Sequence, residues 1–189
     1  ATTGLAYFHL LPDKHLFVSA RGDAVLSYRV VGSTAVVLGE PIGGPDAATR
    51  LAMEFAEHCD RHGLRLAFHQ VSPAGLEVLG PLGFKSIKIG EEALVDLPGF
   101  SLDGSHFKRL RTKNRQLERE GITVDVLPSP VDDALVDELR DVSDAWLRSG
   151  AHRERCFTLG WFDPAYLRET TVVVARDGTG RIQAFANLL

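Results

Sequence analysis

Residues 141–163 read DVSDAWLRSGAHRERCFTLGWFD, and this segment decides how the rest of the chain is interpreted. It continues a series of apolar residues spaced three and four apart, namely Leu135, Leu139, Val142 and Trp146. That spacing predicts one apolar face of a helix, and Gly150 is expected to end the helix. The residues that follow alternate charged and aromatic side chains, whereas an ordinary surface loop is small and polar. The segment is therefore the first candidate for a functional site.

Composition limits the function classes. The chain has 189 residues, of which 44% are hydrophobic and 24% charged, as in globular proteins. A net charge of −4 excludes a surface that is basic all over, so any nucleic-acid contact must be a local patch. Cys59 and Cys156 lack zinc-ligand spacing, so no metal site is predicted. No apolar run is long enough to span a membrane. Because the chain begins with Ala1, we expect it to be part of a longer protein.

The first hundred residues predict an α/β domain. Turn residues separate the predicted strands Lys14–Ala20, Ala24–Val31, Thr34–Leu38, Leu64–Val71, Phe84–Ile89 and Ala93–Leu97. A helix capped by Asp46 is expected to run to about His62 and to use Leu51, Met53, Phe55, Ala56 and Cys59 as its apolar residues. A second, short helix is predicted at Pro73–Leu79. The segment GEPIGGPD, residues 39–46, leads into the helix that Asp46 is expected to cap. It is interpreted as a structural turn, and the alternative is a loop that binds phosphate at the N-terminus of that helix.

The pattern restarts after residue 121. The expected elements are a strand at Ile122–Leu127, helices at Val131–Arg148 and Pro164–Glu169, and a hairpin of Thr171–Arg176 with Arg181–Leu189. This order repeats the opening of an α/β unit, so the fold class is α/β with mixed sheets. The histidines His58, His62 and His69 are interpreted as surface or packing residues rather than as catalysts.

A basic segment, SHFKRLRTKNRQLEREG at residues 105–121, lies between the two patterns. On a helix, Lys108, Arg111, Arg115 and Arg119 would share one face. Six Lys or Arg residues against two Glu residues give this segment a local charge of +4. Such a stripe can follow a phosphate backbone or meet anionic lipid headgroups. The candidate phosphate-binding residues are Lys108, Arg109, Arg111 and Arg115. The alternative is a solvated helix that only connects two domains.

Arg153 and Glu154 are the first candidates for chemistry in the opening segment. A guanidinium binds a carboxylate or a phosphate through two parallel hydrogen bonds, so Arg153 is suited to hold an anionic substrate. The alternative is an ordinary surface Arg–Glu pair, worth at most about 1 kcal/mol.

The pattern S-D-x-W-L, followed by R-E-x-x-F-[ST]-L-G-x-F-D, resembles the C-terminal catalytic domain of the aminoacyl-phosphatidylglycerol synthases. This family includes the phosphatidylglycerol lysyltransferases, also called multiple peptide resistance factors. The resemblance also covers a basic K/R-x-x-R helix, which this family has between two acetyltransferase-like (GNAT) folds. It therefore implies a tandem GNAT-like fold: a first domain at residues 1–100, a basic connecting helix at 101–121, and the first half of a second domain at 122–189.

The resemblance implies that the protein transfers an amino acid to the glycerol hydroxyl of phosphatidylglycerol. Aminoacyl-tRNA would be the donor, no further cofactor is expected, and the amino acid would be lysine, or alanine or arginine. The implied location is the cytoplasmic face of the bacterial inner membrane, with contact to the membrane surface but no spanning segment in this chain. Because the second GNAT-like domain is incomplete, the chain alone is expected to be inactive.

The resemblance also assigns roles within the motif. The implied catalytic residues are Asp144, Arg153, Glu154 and Asn187, and the implied substrate-binding aromatics are Trp146, Phe157 and Phe162. Arg153 would bind a tRNA or lipid phosphate, Glu154 the α-amino group, and Asn187 the ester carbonyl. Asp144 would act as general base, which requires burial because an ordinary carboxylate is too weak a base. For Asp144 and Asn187, hydrogen bonds to nearby backbone are the alternatives.

Two positions in the motif depart from the family pattern. Arg155 stands where lysine is common, and Cys156 stands where glycine is common, so the resemblance does not fix the geometry of the turn at Cys156. Phe157, Gly160 and Phe162 match the family pattern and are expected to pack the wall of the site rather than to react.

Two further functions stay open. One is a Fem-like transferase that adds an amino acid from tRNA to a peptidoglycan precursor, although it lacks the R-E-x-x-F-[ST]-L-G motif. The other is a non-catalytic module that binds RNA or an anionic membrane through the basic helix.

Overall fold

The computed structural model describes residues 5–150, 152–158 and 161–188. The chain forms two compact units. The first contains the described residues of Ala1–Gly90 and Arg155–Gly160, and the second those of Glu91–Glu154 and Trp161–Leu189. The basic segment groups with the second unit, and the division at residues 100 and 121 stays a prediction. No helix in the described ranges is both long and apolar enough to cross a bilayer.

The first unit is an α/β layer structure. Its strands are β1 His15–Val18, β2 Ala24–Val31, β3 Thr34–Leu38, β4 Ile42–Gly43 and β5 Arg65–His69, and its helices are α1 Pro45–Arg61 and α2 Pro73–Leu79. Short 3-10 helices lie at Ala6–Leu10 and Gly80–Leu82. The sheet runs in the order β1-β2-β3-β5, with β4 beside β2. Only β3 and β5 pair in parallel, which makes the sheet mixed.

Helix α1 packs the core of the first unit against this sheet. Leu51, Phe55 and Cys59 have no exposed surface and contact the buried side chains of Leu26 and Val37. Two expectations for this helix are wrong. Met53 is 51% exposed, because it lies on the opposite side of the helix from Leu51 and Phe55. Asp46 lies inside the first turn, because Gly44 is the capping residue and Pro45 takes the first helical position.

The two strands predicted at Phe84–Ile89 and Ala93–Leu97 do not form. Both segments lack regular structure, and the side chains of Ile87 and Leu94 are 84% and 88% exposed. A strand requires a neighbouring strand to accept its backbone hydrogen bonds. No strand among the described residues forms a ladder with either segment, so alternation of apolar residues alone did not produce one here.

The second unit is a three-stranded sheet with helices. It contains α3 Lys108–Arg119, β6 Thr123–Leu127, α4 Asp133–Arg148, α5 Pro164–Arg168, β7 Thr171–Arg176 and β8 Ile182–Leu188. The antiparallel sheet runs β6-β7-β8. Helix α4 covers one face of it through Val136 and Leu139, which pack on Val172 and Val174. The predicted α/β class with a mixed sheet is confirmed.

Side-chain caps explain where α4 and α5 begin. The Asp132 carboxylate accepts a hydrogen bond from the Leu135 N–H at 2.8 Å and caps α4. Asp163 caps α5 in the same way, since it accepts from the N–H groups of Ala165 and Tyr166. The two caps thus fix the start of α4 before the 141–163 segment and the start of α5 directly after it.

Candidate functional site

The described motif residues 152–158 form an irregular segment with a sharp turn at Cys156 and Phe157. Their φ angles are +53° and +66°, the left-handed region that non-glycine residues rarely adopt. The sequence left the geometry of this turn open, because Cys156 stands where the family commonly has glycine. The backbone nevertheless takes the conformation that glycine favours, so surrounding contacts must hold it there.

Phe157 is held by two adjacent residues of the first unit. Its N–H donates to Asp13 Oδ2 at 2.8 Å, and its carbonyl accepts from Lys14 Nζ at 3.0 Å. The same ammonium lies 5.2 Å from the centre of the Phe157 ring, and the His69 ring lies 5.9 Å from it. Sequence reasoning placed Phe157 among substrate-binding aromatics, and the structure makes it a firmly anchored residue.

Glu154 and Phe162 lie together in the second unit. Glu154 Oε1 accepts a hydrogen bond from the Phe162 N–H at 2.6 Å. The centre of the Phe162 ring lies 4.9 Å from the Arg140 guanidinium and 6.3 Å from the centre of the Phe185 ring, which is nearly perpendicular to it. The second carboxylate oxygen of Glu154 has no hydrogen-bond partner among the described residues, so it is available to bind a cationic group.

Trp146 is half-exposed at the end of α4 rather than buried in its apolar face. Its indole is 50% exposed and stacks on the His152 imidazole, with 4.3 Å between ring centres and 16° between planes. The indole also borders a groove of about 650 Å³ between α4 and β8, whose wall includes Asp141 and Phe185. Of the predicted site residues, only Trp146 lines this groove.

Arg153 and Asp144 are both exposed, and their side chains have no hydrogen-bond or ion-pair partner among the described residues. A free guanidinium is suited to bind an anion. For Asp144, the burial that a general base requires is not met among the described residues, because its position on α4 faces solvent. Its catalytic role stays a prediction.

Asn187 lies on β8, opposite Val172 in the ladder. Its side-chain amide donates to Thr170 Oγ1 at 3.5 Å, which is the long limit of a hydrogen bond. The amide is therefore weakly held. The predicted Gly160 lies outside the described residues.

The basic helix α3 contains no buried residue, and only Arg111 and Leu117 are half-buried. Lys108, Arg109 and Arg115 make no ion pair or hydrogen bond through their side chains within the ranges described. Arg111 differs, because its guanidinium donates to the carbonyls of Leu102 and, at 2.7 Å, Gly104. Arg111 thus joins the helix to the preceding loop, whereas the other three cations face solvent.

The GEPIGGPD segment has contacts that fit its interpretation as a structural turn. Gly39 has a φ of +62°, and the Glu40 carboxylate accepts from the Ser72 N–H at 3.0 Å and the Ser72 hydroxyl at 2.5 Å. Ser72 in turn caps α2 through the Gly75 N–H. A side chain at position 75 would meet that carboxylate at 2.7 Å, so glycine is required there. Glu40 is thus committed to joining this turn to α2.

Two histidines of the first unit have altered acidity. Burial, and next the nearby Lys14 charge, lower the pKa of His9, while Glu40 acts in the opposite direction. Its Nδ1 lies 2.8 Å from Ser27 Oγ. Burial, followed by the His62 and Arg61 charges, lowers the pKa of His58. No group of three or more potential metal ligands occurs in the part of the chain that the structure describes.

Sequence reasoning missed Asp13, Lys14, Arg140 and His152. An adjacent Asp-Lys pair is common on protein surfaces, so nothing in its composition indicates that Lys14 has a buried side chain. The aromatic spacing did contain one usable signal, because Trp146 and His152 flank the end of the predicted helix. The contacts of Asp13 and Arg140 depend on tertiary packing.

Comparison with known proteins identifies the relatives of this chain. Residues 2–189 match the family model described as phosphatidylglycerol lysyltransferase, C-terminal. Phosphatidylglycerol lysyltransferase of Bacillus subtilis is 35% identical over 185 residues, which cover 98% of this chain and 21% of the relative. The protein of that name from Staphylococcus aureus is 30% identical over 177 residues, 94% of this chain and 21% of the relative. The chain thus spans about a fifth of the length of these relatives.

Solved structures give the same result. L-PGS from Bacillus licheniformis superposes with a TM-score of 0.85 at 35% identity, covering 96% of this chain and 55% of that one. The C-terminal domain of a putative lysylphosphatidylglycerol synthetase from Agrobacterium fabrum superposes with a TM-score of 0.82 at 36% identity, covering 93% and 55%. These matches confirm the predicted GNAT-like α/β fold. The match over almost its whole length shows that this chain belongs to the phosphatidylglycerol lysyltransferase C-terminal family.

Proposed function

We propose that this chain is part of an aminoacyltransferase that moves an amino acid from aminoacyl-tRNA to phosphatidylglycerol. The family match over residues 2–189 is the observation that carries this proposal. The curated relatives are named phosphatidylglycerol lysyltransferase, so lysine is the first candidate and alanine or arginine the alternatives. The proposed place of action is the cytoplasmic face of the bacterial inner membrane.

The proposed reaction is an ester exchange. The glycerol hydroxyl oxygen of phosphatidylglycerol attacks the aminoacyl carbonyl carbon, and the bond to the tRNA ribose oxygen breaks. The proton of the glycerol hydroxyl passes to the departing ribose oxygen, so no oxidant, metal or enzyme nucleophile is needed. Because the donor ester is already activated, alignment and charge stabilisation supply most of the rate increase.

Charge and geometry suit Arg153 and Glu154 to substrate binding. The Arg153 guanidinium is free to form two hydrogen bonds with a tRNA or lipid phosphate. Glu154 uses Oε1 to accept the Phe162 N–H, which orients its other oxygen toward an ammonium group. In the proposed complex that ammonium is the α-amino group of the transferred amino acid.

Asp144 and Asn187 complete the proposed chemistry. Asp144 accepts the proton of the glycerol hydroxyl and returns it to the departing ribose oxygen, and the amide of Asn187 orients the ester carbonyl. The weak 3.5 Å bond from Asn187 to Thr170 costs little to exchange for a substrate oxygen. Both roles require that bound substrate cover these residues, since water would otherwise weaken their interactions.

The basic helix attracts the anionic substrates. Lys108, Arg109 and Arg115 face solvent and can contact tRNA phosphates or lipid headgroups. Near an anionic bilayer each such residue contributes about 1 kcal/mol. Arg111 contributes chiefly by holding the helix to the residues before it.

The experiment is amino-acid transfer by the full-length protein, with total tRNA carrying labelled amino acids and vesicles of phosphatidylglycerol. We expect label in the lipid fraction, and its identity names the amino acid. Vesicles of phosphatidylethanolamine are the control and should take up no label. We expect the 189-residue chain alone to be inactive. Label that stays on tRNA with folded protein would overturn the proposal in favour of a peptidoglycan acceptor or a binding module.

A further inference from the structure

Lys14 is a buried cation in the first unit. Its side chain has no exposed surface, and its ammonium lies 2.5 Å from Asp13 Oδ1. The Asp13 side chain is itself only 10% exposed. A buried ion pair adds little stability, because removing two charges from water costs about as much as their attraction returns. The pair therefore calls for an explanation other than stability.

The two charges bind the same backbone residue. Asp13 Oδ2 accepts the N–H of Phe157, and Lys14 Nζ donates to the carbonyl of Phe157. These partners are separated by 144 and 143 residues in the chain. Together, the carboxylate and ammonium satisfy both polar groups of one peptide residue, an arrangement termed here the Asp13–Lys14 clamp.

The clamped residue is in a strained conformation. Phe157 and its neighbour Cys156 both have positive φ angles, which an L-amino acid with a side chain adopts only when its surroundings impose it. A rotation of Phe157 toward the extended region would turn its N–H and carbonyl away from the clamp. Both hydrogen bonds would then break, so the clamp opposes that rotation.

The clamp holds the side chain as well as the backbone. The Lys14 ammonium lies 5.2 Å from the Phe157 ring centre, and His69 contacts the same ring. The surrounding charged groups are few: Arg29 lies 3.9 Å from Asp13 Oδ2 and is 48% exposed, and His9 is near Lys14. Arg29 is thus a peripheral partner, and it provides a matched control.

From this geometry we propose that Asp13 and Lys14 are positioning residues for the proposed transfer reaction. They hold the Cys156–Phe157 turn in the conformation that transfer requires. The inference rests on the function proposed above. Neither residue is assigned a chemical step, because the polar atoms that define the clamp are used in binding each other and Phe157.

The decisive variant is the double substitution Asp13→Leu with Lys14→Met in the full-length protein. It removes both charges together, so neither is left buried and unpaired, and it replaces them with apolar side chains of similar size. We expect the melting temperature to stay close to that of the wild type. The kcat of transfer to phosphatidylglycerol should fall about 10- to 100-fold, because the Cys156–Phe157 turn is misplaced. The KM for lipid should change far less, because the solvent-facing cations Lys108, Arg109 and Arg115 are left intact.

Glycine rescue separates positioning from a merely structural role. Adding Cys156→Gly to the double variant should restore part of kcat, because glycine adopts positive φ without strain. The control Arg29→Gln should transfer at the wild-type rate. Wild-type kcat in the double variant would overturn the proposal. A lower melting temperature with activity that glycine does not restore would also overturn it, in favour of a structural role.

Amide exchange tests the clamp independently of the proposed reaction. The Phe157 N–H should exchange slowly with solvent in the wild type and quickly in the double variant. If the wild-type protein transfers no amino acid to lipid but shows this difference, the proposed function fails and the clamp stands without its catalytic purpose. If the Phe157 N–H exchanges quickly in the wild type, the clamp itself is disproved.

Discussion

Helix α3 and the motif residues 152–158 are both rich in arginine, but they differ in how many of their polar groups are bound by other residues. In α3, Lys108, Arg109 and Arg115 extend into solvent from a helix without buried residues. In the motif, Glu154 is bound to the Phe162 N–H, and both backbone groups of Phe157 are bound to the Asp13–Lys14 clamp. Free charges act at a distance and tolerate many geometries, whereas anchored groups define one geometry. In the function proposed here, attraction and alignment of substrate therefore belong to different parts of the chain.

This difference arises from how far apart in the sequence the hydrogen-bonded residues are. A helix satisfies its backbone hydrogen bonds within itself, so α3 needs little from the rest of the molecule. Residues 152–158 have no such ladder, and they depend on side chains far away in the sequence. Substitutions in α3 should therefore weaken the binding of anionic substrates step by step, while substitutions in the motif should abolish the conformation that transfer requires.

The largest effect is expected at Arg153. Arg153→Ala in the full-length protein should lower kcat/KM for transfer about 100-fold, because a charged hydrogen-bond donor to the reacting substrate is lost. Its stability should stay unchanged, since Arg153 has no partner among the described residues. Arg155→Ala, an exposed arginine two positions along, is the control and should lose far less. Equal losses from the two substitutions would show that the motif, like α3, acts only through its overall charge.

A smaller effect is expected from neutralising two free charges of α3. Lys108→Gln with Arg115→Gln should weaken binding to phosphatidylglycerol vesicles about 30-fold at low salt, since each cation contributes about 1 kcal/mol. The effect should shrink as salt rises, because ions screen exposed charges. Vesicle sedimentation at several salt concentrations measures it. Salt-independent loss would contradict the view that these residues attract rather than align.

Arg111 tests the comparison within α3 itself. Arg111→Ala should lower the free energy of unfolding by about 1 kcal/mol, because it removes hydrogen bonds to the Leu102 and Gly104 carbonyls. Arg109→Ala is the matched control, and it should leave stability unchanged while reducing vesicle binding. Urea denaturation of both variants decides the matter. If Arg111→Ala affects only vesicle binding, Arg111 belongs with the free charges.

The smallest effect is the pH dependence of the unfolding free energy that arises from His9, which lies near Lys14. The folded protein lowers the pKa of His9, so it favours the neutral imidazole. The resulting stabilisation is present above the ordinary pKa of 6.5 and is lost as pH falls below that value. Unfolding free energies should therefore decline between about pH 7 and pH 5, and less so in His9→Gln. His58 is unchanged in both proteins, so the difference isolates His9. Identical pH profiles would contradict this assignment.

Sequence patterns predicted the elements whose residues are close in the chain. The strands Ala24–Val31, Thr34–Leu38 and Thr171–Arg176 form at the predicted residues, because their turns and alternation are local signals. The same alternation at 84–97 failed, because a ladder needs a partner strand and none of the described residues provides one. Local pattern thus indicates preference, and pairing decides whether a strand forms.

The same distinction between local pattern and tertiary contact applies to the candidate site. Its motif residues were predicted from spacing and resemblance; the family match confirms the resemblance, and the roles of these residues stay a prediction. The exposure of Asp144, the commitment of Arg111 to the Leu102 and Gly104 carbonyls, and the Trp146–His152 stack were not predictable. Each depends on which neighbours the fold brings near, and side-chain spacing carries no information on that.

The amino-acid sequence by itself determined the α/β class, the basic stripe and the R-E-x-x-F motif, because periodicity, charge and motif spacing are properties of neighbouring residues. Only the tertiary structure decided that Asp13 and Lys14 bind Phe157 and hold a left-handed turn without glycine. The contacts responsible join residues 143 and 144 positions apart. Such contacts exist only after the chain has folded, since folding brings Asp13 and Lys14 to Phe157 and burial removes the water that would compete for the same hydrogen bonds.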